Sequence, residues 1–319
     1  MVPASLLPGA KEPQVAVSDS GNVYVAFGVK DALYLCASHD AGASYEPPVK
    51  IDDAPNLMLG MRRGPRIAVA GGPIVVSAIS NGNLLAWKSD TEGKSWIGPE
   101  RVNDSDGSAS EGLHAMTSLG TEVACAWLDH RNGHAEIWAA ISEDGGENWS
   151  DNSLVYKSPD GNVCECCHPS VAITPDGTIH VMFRNSLNGF RDMYVVEGKT
   201  DTGYGMWDGG YRMVGPDSGS RFISNPESRI PNLGWSSAKL LGQGHWKLDA
   251  CPMDGGAISF NDQAHVFTIW RRNDTVFSAS PGASEDRRGV GLQPWIYGGQ
   301  GVYGVYLKKR PGPLLAFHA

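Results

Sequence analysis

The sequence predicts an all-β chain folded as a six-bladed β-propeller of four-stranded antiparallel blades. Three observations carry that expectation. A pattern of strands and turns recurs six times with a period of about 40 to 50 residues, the spacing of propeller blades. Within each copy, short runs alternate apolar and polar residues with period two and are rich in β-branched and aromatic side chains. Forty glycines and twenty prolines are spread evenly over the 319 residues, as many tight turns require, and no stretch has the pattern of a long amphipathic helix.

The copies follow in order. The first is "EPQVAVSDSGNVYVAFGVKDALYLCASHDAGASYEPPVKI", and the second is "GPRIAVAGGPIVVSAISNGNLLAWKSDTEGKSWIGPERV". The third opens "GLHAMTSLGTEVACAWLDHRNGHAEIWAAISEDGGENW", and the fourth opens "HPSVAITPDGTIHVMFRNSLNGFRDMYVVEGKTDTGYGMWDGG". An insertion at about 214–245 precedes the fifth, "GGAISFNDQAHVFTIWRRNDTVFSASPGAS". The last, "QPWIYGGQGVYGVYLKKRPGPLLAF", stops after three strands, and "PASLL" near the start is expected to supply the missing outer strand, closing the ring and covering an edge. Residues 1–319 read as a single domain.

Composition narrows the function. With 41% hydrophobic and 19% charged residues the chain can bury a sizeable core. A net charge of −9 argues against a nucleic-acid partner, which calls for a basic face. No apolar run approaches the ~20 residues of a membrane span. The start, "MVPASLLPGAKEP", has neither a basic region nor a long apolar core of a signal peptide, although a mature chain cut from its leader would look the same. A secreted or periplasmic location fits the second case.

The loops after the third strands carry Ser-x-Asp-x-Gly-x-(Ser/Thr/Asn)-aromatic. The pattern is complete in "SHDAGASY", Ser38 to Tyr45, and in "SEDGGENW", Ser142 to Trp149. It is degenerate in "SDTEGKSW", where Thr91 replaces the Asp, and in "KTDTGYGMW". This resembles the Asp-box, or bacterial neuraminidase repeat, of sialidase-like propellers, and the resemblance covers nearly the whole chain. It implies a hydrolase acting on a small-molecule or carbohydrate anionic substrate, a sialoside or another acidic glycoside or ester, held in a central funnel. Sialidases grip the substrate carboxylate with three arginines and use an Asp acid/base and a Tyr–Glu nucleophile pair. This chain departs from that pattern. The early (Phe/Tyr)-Arg-Ile-Pro motif is missing from the first blade, and "SRIP" at Ser228 to Pro231 falls in the insertion. No Tyr–Glu pair can be assigned; Tyr303 and Tyr306 read as blade packing.

In such blades the loops between second and third strands, and those leading into the first strands, open on the face opposite the boxes. The lead-in loops place Arg62, Arg63, Arg66, His114, "CECCH", Asp249, Cys251 and Asp254 there. The second loops add Asp129, His130, Arg131, His134, Arg184, Arg191, Asp192, Arg271 and Arg272. Guanidinium forks bind carboxylate, sulfate or phosphate bidentately, so Arg66, Arg131, Arg184, Arg191 and Arg271 are candidates for the funnel wall. Asp129 is a candidate proton donor provided burial raises its pKa. The alternative for Asp129 and Arg131 is a turn in which the two pair with each other. Of Arg271 and Arg272, at most one faces the channel.

Four of the six cysteines lie in two short segments, "CECCHP" and "DACPMD", which occupy equivalent lead-ins of neighbouring blades and so should meet. In extended chain Cys164, Cys166 and His168 project to one side, and Cys251 completes a three-sulfur, one-nitrogen set for Zn or Cu(I), with Cys167 as a further thiol at the site. Disulfides are the competing state, with Cys167 bridging Cys251 and an oxidising compartment implied. Cys164-x-x-Cys167-His168 also matches a haem attachment motif, but Pro169 and the strand that follows leave little room for the macrocycle. A nucleophilic cysteine beside His168 is the remaining option. Cys36 and Cys125 lie within strands and read as core.

Overall fold

The computed structural model describes residues 7–200, 233–261, 263–273, 275–287, 302–306 and 313–317. They form six antiparallel sheets, each of consecutive strands. Blade one is β1 (Lys11–Val17), β2 (Val23–Val29), β3 (Ala32–Ser38) and β4 (Val49–Asp53). Blade two is β5 (Arg66–Val69), β6 (Ile74–Ser80), β7 (Asn83–Ser89) and β8 (Ile97–Arg101). Blade three is β9 (His114–Leu119), β10 (Glu122–Asp129), β11 (Glu136–Ser142) and β12 (Ser153–Tyr156). Blade four is β13 (Ser170–Ile173), β14 (Ile179–Arg184), β15 (Met193–Thr200), β16 (Leu233–Trp235) and β17 (Lys239–Leu240). Blade five is β18 (Ala257–Phe260), β19 (Val266–Arg272), β20 (Thr275–Ala279) and β21 (Asp286–Arg287). The sixth sheet pairs β22 (Val302–Tyr306) with β23 (Pro313–Phe317). First strands contact in series, β1 with β5, β5 with β9, β9 with β13, β13 with β18 and β18 with β22, so they are the inner strands of a six-bladed propeller.

Burial follows position in the blade. The second strands of blades two and four are enclosed on both faces by neighbouring blades: "IVVSAIS" of β6 and "IHVMFR" of β14 are buried throughout. The outer strand β8 is exposed along its length. The core therefore lies between blades. Leu33, Leu35 and Ala37 of blade one meet Ile67, Ile74 and Val76 of blade two. Ile137 and Ile141 of blade three meet Val171, Val181 and Phe183 of blade four. Trp127, at the seam of blades two and three, and Trp270, at the seam of four and five, are fully buried. Cys36 and Cys125 belong to this core, and burial pushes the Cys36 thiol up to about 11. Local chemistry sets the turns: Ser80 pairs with Asn83 across Asn81-Gly82, both left-handed (φ 50° and 73°), the preferred two-residue hairpin.

The loops after the third strands of blades one to three share one hydrogen-bond plan. In blade three Ser142 Oγ donates to Asp144 Oδ1 (2.7 Å), while the N–H groups of Gly146 and Asn148 donate to Ser142 Oγ and Asp144 Oδ1 (2.8 and 2.9 Å). Blade one repeats it with Ser38, Asp40, Gly42 and Ser44. The loop of blade two keeps the same plan although its Asp is replaced, because Thr91 Oγ1 accepts from Ser95 N at 2.9 Å. The hydroxyl needs only one lone pair to stand in for the carboxylate there.

The expected insertion, about 214–245, is described only from residue 233 onward. Its later part is blade four itself, since β16 and β17 both pair with β15. Residues 214–232, the loop "DTGYGMW", "SRIP", the side chains of Tyr303 and Tyr306, and "PASL" lie outside the described residues.

Candidate functional site

Because first strands are ring neighbours, their leading ends gather at one mouth of the ring: Arg66 on β5, His114 on β9, His168 just ahead of β13, and Asp254 just ahead of β18. Arg66 is turned into the protein rather than across a funnel. Its Nε donates to His114 O (3.1 Å), and its terminal nitrogens donate to the carbonyls of Gly64, Pro65 and Arg62. His114 is fully buried, with Nε2 3.0 Å from Ser77 Oγ; burial and then Arg66 hold its pKa far below the usual histidine value. His168 is likewise held neutral, by burial first and then by Arg62, Arg66 and Arg184.

The other arginines expected in the funnel wall are also committed inward, with one exception. Arg184 is 1% exposed, and each of its three guanidinium nitrogens is engaged: Nε on Asp254 O, one terminal nitrogen on Arg191 O, the other on Asp254 Oδ1 (3.0 Å) and Arg271 O. Arg271 Nε closes the triad on Asp254 Oδ2 (2.6 Å), and its terminal nitrogens reach Asn273 O and Pro252 O. Trp246 lies beside both guanidinium groups, 5.2 and 5.0 Å from its ring centre. Arg272 pairs bidentately with Glu285 and stacks on Phe277. These groups hold blades four and five together. Arg191 is the exception: half-buried, with an Nε that has no hydrogen-bond partner.

Asp129 is not suited to proton donation. Burial pushes its carboxyl up, but donors from Arg131, Ser108 and Trp127 outweigh this and leave it below the usual carboxylate value. Arg131 binds it through Nε and a terminal nitrogen (both 2.9 Å), reaches Asp104 as well, and stacks 3.8 Å over Trp138. Glu136, the cross-strand partner of Asp129, accepts from Trp138 Nε1 (2.9 Å). Two carboxylates side by side invite comparison with a glycosidase pair, but both are 0% exposed and no sugar can reach them. Turn and seam chemistry won over catalysis here. A carboxylate with a lowered folded pKa stabilises the fold above its unfolded value near 3.9, and that contribution is lost as pH falls through the lower folded value. Asp129→Asn should therefore cost about 2 kcal/mol at neutral pH, with the gap to wild type shrinking as pH falls below about 4. Urea titrations across that range read it, and a gap independent of pH would contradict the assignment.

The two cysteine segments do meet. Cys166 and Cys251 form a disulfide with Cα atoms 6.3 Å apart, joining the lead-ins of blades four and five. Two expectations need correction. The bridge uses Cys166, not Cys167, because Cys164 to Cys167 is a turn rather than extended chain: Cys167 N–H donates to Cys164 O (3.2 Å). The turn brings all three sulfurs to one side, with Cys164 Sγ 3.2 Å from Cys167 Sγ and 3.6 Å from Cys166 Sγ, and Cys166 Sγ 3.9 Å from Cys167 Sγ. His168 does not join them: its Nδ1 accepts from Gly255 N–H (3.2 Å), and the converging ligand group found among the described residues is Cys164, Cys166 and Cys167. Cys164 and Cys167 are buried, Cys166 is half-buried and Cys251 exposed. The Cys167 thiol, followed by Arg184 and Arg191, lowers the Cys164 pKa, while burial raises that of Cys167.

One group escaped sequence reasoning. His245 Nδ1 lies 2.6 Å from Asp192 Oδ2, and Trp246 N–H donates to Asp192 Oδ1 (2.8 Å), which leaves an exposed imidazole oriented by a buried carboxylate next to Arg191. The signal was faint, since His245 falls in the segment read as insertion.

The architecture is that of the β-propeller class, and its solved relatives in fold include carbohydrate-cleaving enzymes. The alpha-L-arabinofuranosidase of Fusarium graminearum in complex with an iminosugar inhibitor superposes with a TM-score of 0.55 at 12% identity, over 96% of this chain and 86% of that one. The alpha-L-arabinanase of Penicillium chrysogenum complexed with arabinobiose gives 0.52 at 11%, over 93% and 85%. A sialidase from Streptococcus pneumoniae gives 0.44 at 15%, over 86% of this chain and 41% of that chain. No protein-family model matches the sequence, and no curated protein matches it. At such identities the first two likenesses establish the fold alone.

Proposed function

We propose that the protein is a β-propeller that holds a thiophilic metal ion, Zn2+ or Cu+, in the sulfur cluster between blades four and five. The observation that carries this reading is the spacing of Cys164, Cys166 and Cys167, whose sulfurs lie 3.2, 3.6 and 3.9 Å apart. Four thiolates at about 2.3 Å from a tetrahedral ion stand about 3.8 Å from one another. Cys251, already at Cys166, completes the set once the bridge is reduced. A closed four-sulfur shell has no open position for water, so the ion secures or stores rather than activates a hydrolytic nucleophile. The test is anaerobic reconstitution of reduced protein with Zn2+ or Cu+, with bound metal measured by mass spectrometry. About one ion per chain is expected, lost in Cys164→Ser and Cys167→Ser and retained in His168→Ala. Substoichiometric binding, or binding indifferent to those two cysteines, would refute the reading.

A hydrolytic reading on an anionic glycoside or ester keeps one specific observation, the exposed imidazole of His245 oriented by Asp192, the residue that follows Arg191. The fold of the arabinofuranosidase and the arabinanase is compatible with it. Turnover of fluorogenic sialosides and of phosphate and sulfate esters, abolished by His245→Ala and weakened by Arg191→Ala, is the result it requires.

A further inference from the structure

We propose that the four sulfurs form a thiol–disulfide relay, in which a bridge passes between an outer pair, Cys166 and Cys251, and a buried pair, Cys164 and Cys167, and exchanges with external thiols or disulfides at the exposed Cys251. This uses the same cysteines as the metal reading but does not rest on a bound ion.

The layout has the parts such a relay needs. Disulfides exchange when a thiolate attacks one sulfur of a bridge and displaces the other through a mixed disulfide. Cys164 Sγ lies 3.6 Å from the bridged Cys166 Sγ, and Cys167 Sγ lies 3.2 Å from Cys164 Sγ. Attack of the Cys164 thiolate on Cys166 forms Cys164–Cys166, breaks Cys166–Cys251 and releases Cys251 as a thiolate. Attack of the Cys167 thiolate on Cys164 then forms Cys164–Cys167 and releases Cys166. The two protons given up by Cys164 and Cys167 end on Cys166 and Cys251, so the transfer is redox-neutral within the centre. The final bridge is sterically ready, because Cys164 and Cys167 stand at the two ends of one hydrogen-bonded turn, within the Cα separation a disulfide spans. The outer dithiol can next reduce an external disulfide to two thiols and return to Cys166–Cys251. Net, the buried dithiol is oxidised and the external disulfide reduced.

Exposure gives the relay a direction. The buried pair is closed to solvent, whereas Cys251 is exposed and Cys166 half-exposed. An outside partner therefore meets the outer pair first, and the inner pair is charged or discharged only through it. A bridge that served merely to tie two blades would need no second pair of thiols at contact distance.

The experiment follows the bridge in the full chain. Fully reduced protein, kept with a metal chelator, receives one equivalent of glutathione disulfide. It is quenched in acid at intervals, alkylated after denaturation, and mapped by peptide mass spectrometry. Cys166–Cys251 should appear first and Cys164–Cys167 later, at a constant number of unbridged thiols. In Cys167→Ser the second bridge should not form, and in Cys251→Ser the reaction with glutathione disulfide should slow by at least about tenfold. In a parallel sample alkylated before denaturation, Cys36 and Cys125, buried and unbridged, should stay unlabelled and so report whether each variant has folded. A bridge confined to Cys166–Cys251 at all times in wild type overturns the proposal even if both serine variants fail to fold. Because the chelator removes any ion, failure of metal binding leaves this result intact, and a failed relay leaves the metal titration intact.

Discussion

Replacing Asp254 by Ala should cost about 3–5 kcal/mol of stability, the largest effect expected from any single side chain near the site. Asp254 is 1% exposed and is the only carboxylate hydrogen-bonded to Arg184, itself 1% exposed, among the described residues. It also accepts from Arg271 Nε at 2.6 Å. Removing it leaves two guanidinium groups at the seam without a counter-charge, one of them almost wholly cut off from water. Uncompensated buried charge, rather than the loss of two hydrogen bonds, sets the magnitude. Asp254→Asn should cost less, since the amide oxygen still accepts one bond. Denaturant unfolding of the three proteins measures this. A cost below about 1 kcal/mol for Asp254→Ala would mean the guanidinium groups reach water, and the case against an arginine-lined funnel would weaken with it.

That outcome bears on how much of the molecule can be read from its sequence. The repeats locate the inner strand of each of the first five blades, and this is enough to bring Cys166 and Cys251 together although they are 85 positions apart. Periodicity works here because the first three blades repeat one burial gradient, from enclosed second strands such as β6 to an exposed edge such as β8. Where a side chain goes at the mouth of the ring is another matter. Arg184 looks like a funnel residue by position, but its partner Asp254 belongs to the next blade and no local pattern announces it. Asp129 and Arg131 are close in sequence, and their pairing was visible as an alternative; what tipped it was Trp127, Ser108 and Asp104 converging from two blades. The thiols show the limit at short range. Extended geometry separates Cys167 from Cys164 and Cys166, but a single turn reunites them, and alternation says nothing about a turn. Thr91 shows the reverse, a departure in sequence that leaves the local structure unchanged.

Loss of the Cys166–Cys251 bridge is the second large expected effect. The bridge closes a loop across 85 positions, which in the chain-entropy account restrains the unfolded chain by about 4.6 kcal/mol. Cys251→Ser should therefore lower the unfolding free energy by up to about that amount, whereas Cys164→Ser, which leaves the bridge intact, should change it far less. Position of the bridge matters as much as its presence. Moved to Cys164–Cys167 it closes a loop of only a few residues and restrains little of the unfolded chain, so the same protein with the same number of disulfides should be about 3 kcal/mol less stable. Denaturant midpoints of samples whose bridge has been mapped test this directly, and they tie the chemistry of the centre to the seam it spans. Blade five is held against blade four by the Arg184–Asp254–Arg271 triad and by packing of Met182, Met193 and Val195 on Trp270 and Phe277, in addition to the bridge. If Cys251→Ser proved as stable as wild type, those contacts alone would suffice to dock the blade and the bridge would have no structural duty. Its exposed sulfur would then have to be explained by chemistry. If the variant loses the full amount, each passage of the bridge to the inner pair also loosens the seam, and the redox state of four sulfurs becomes a control on how firmly two blades are joined.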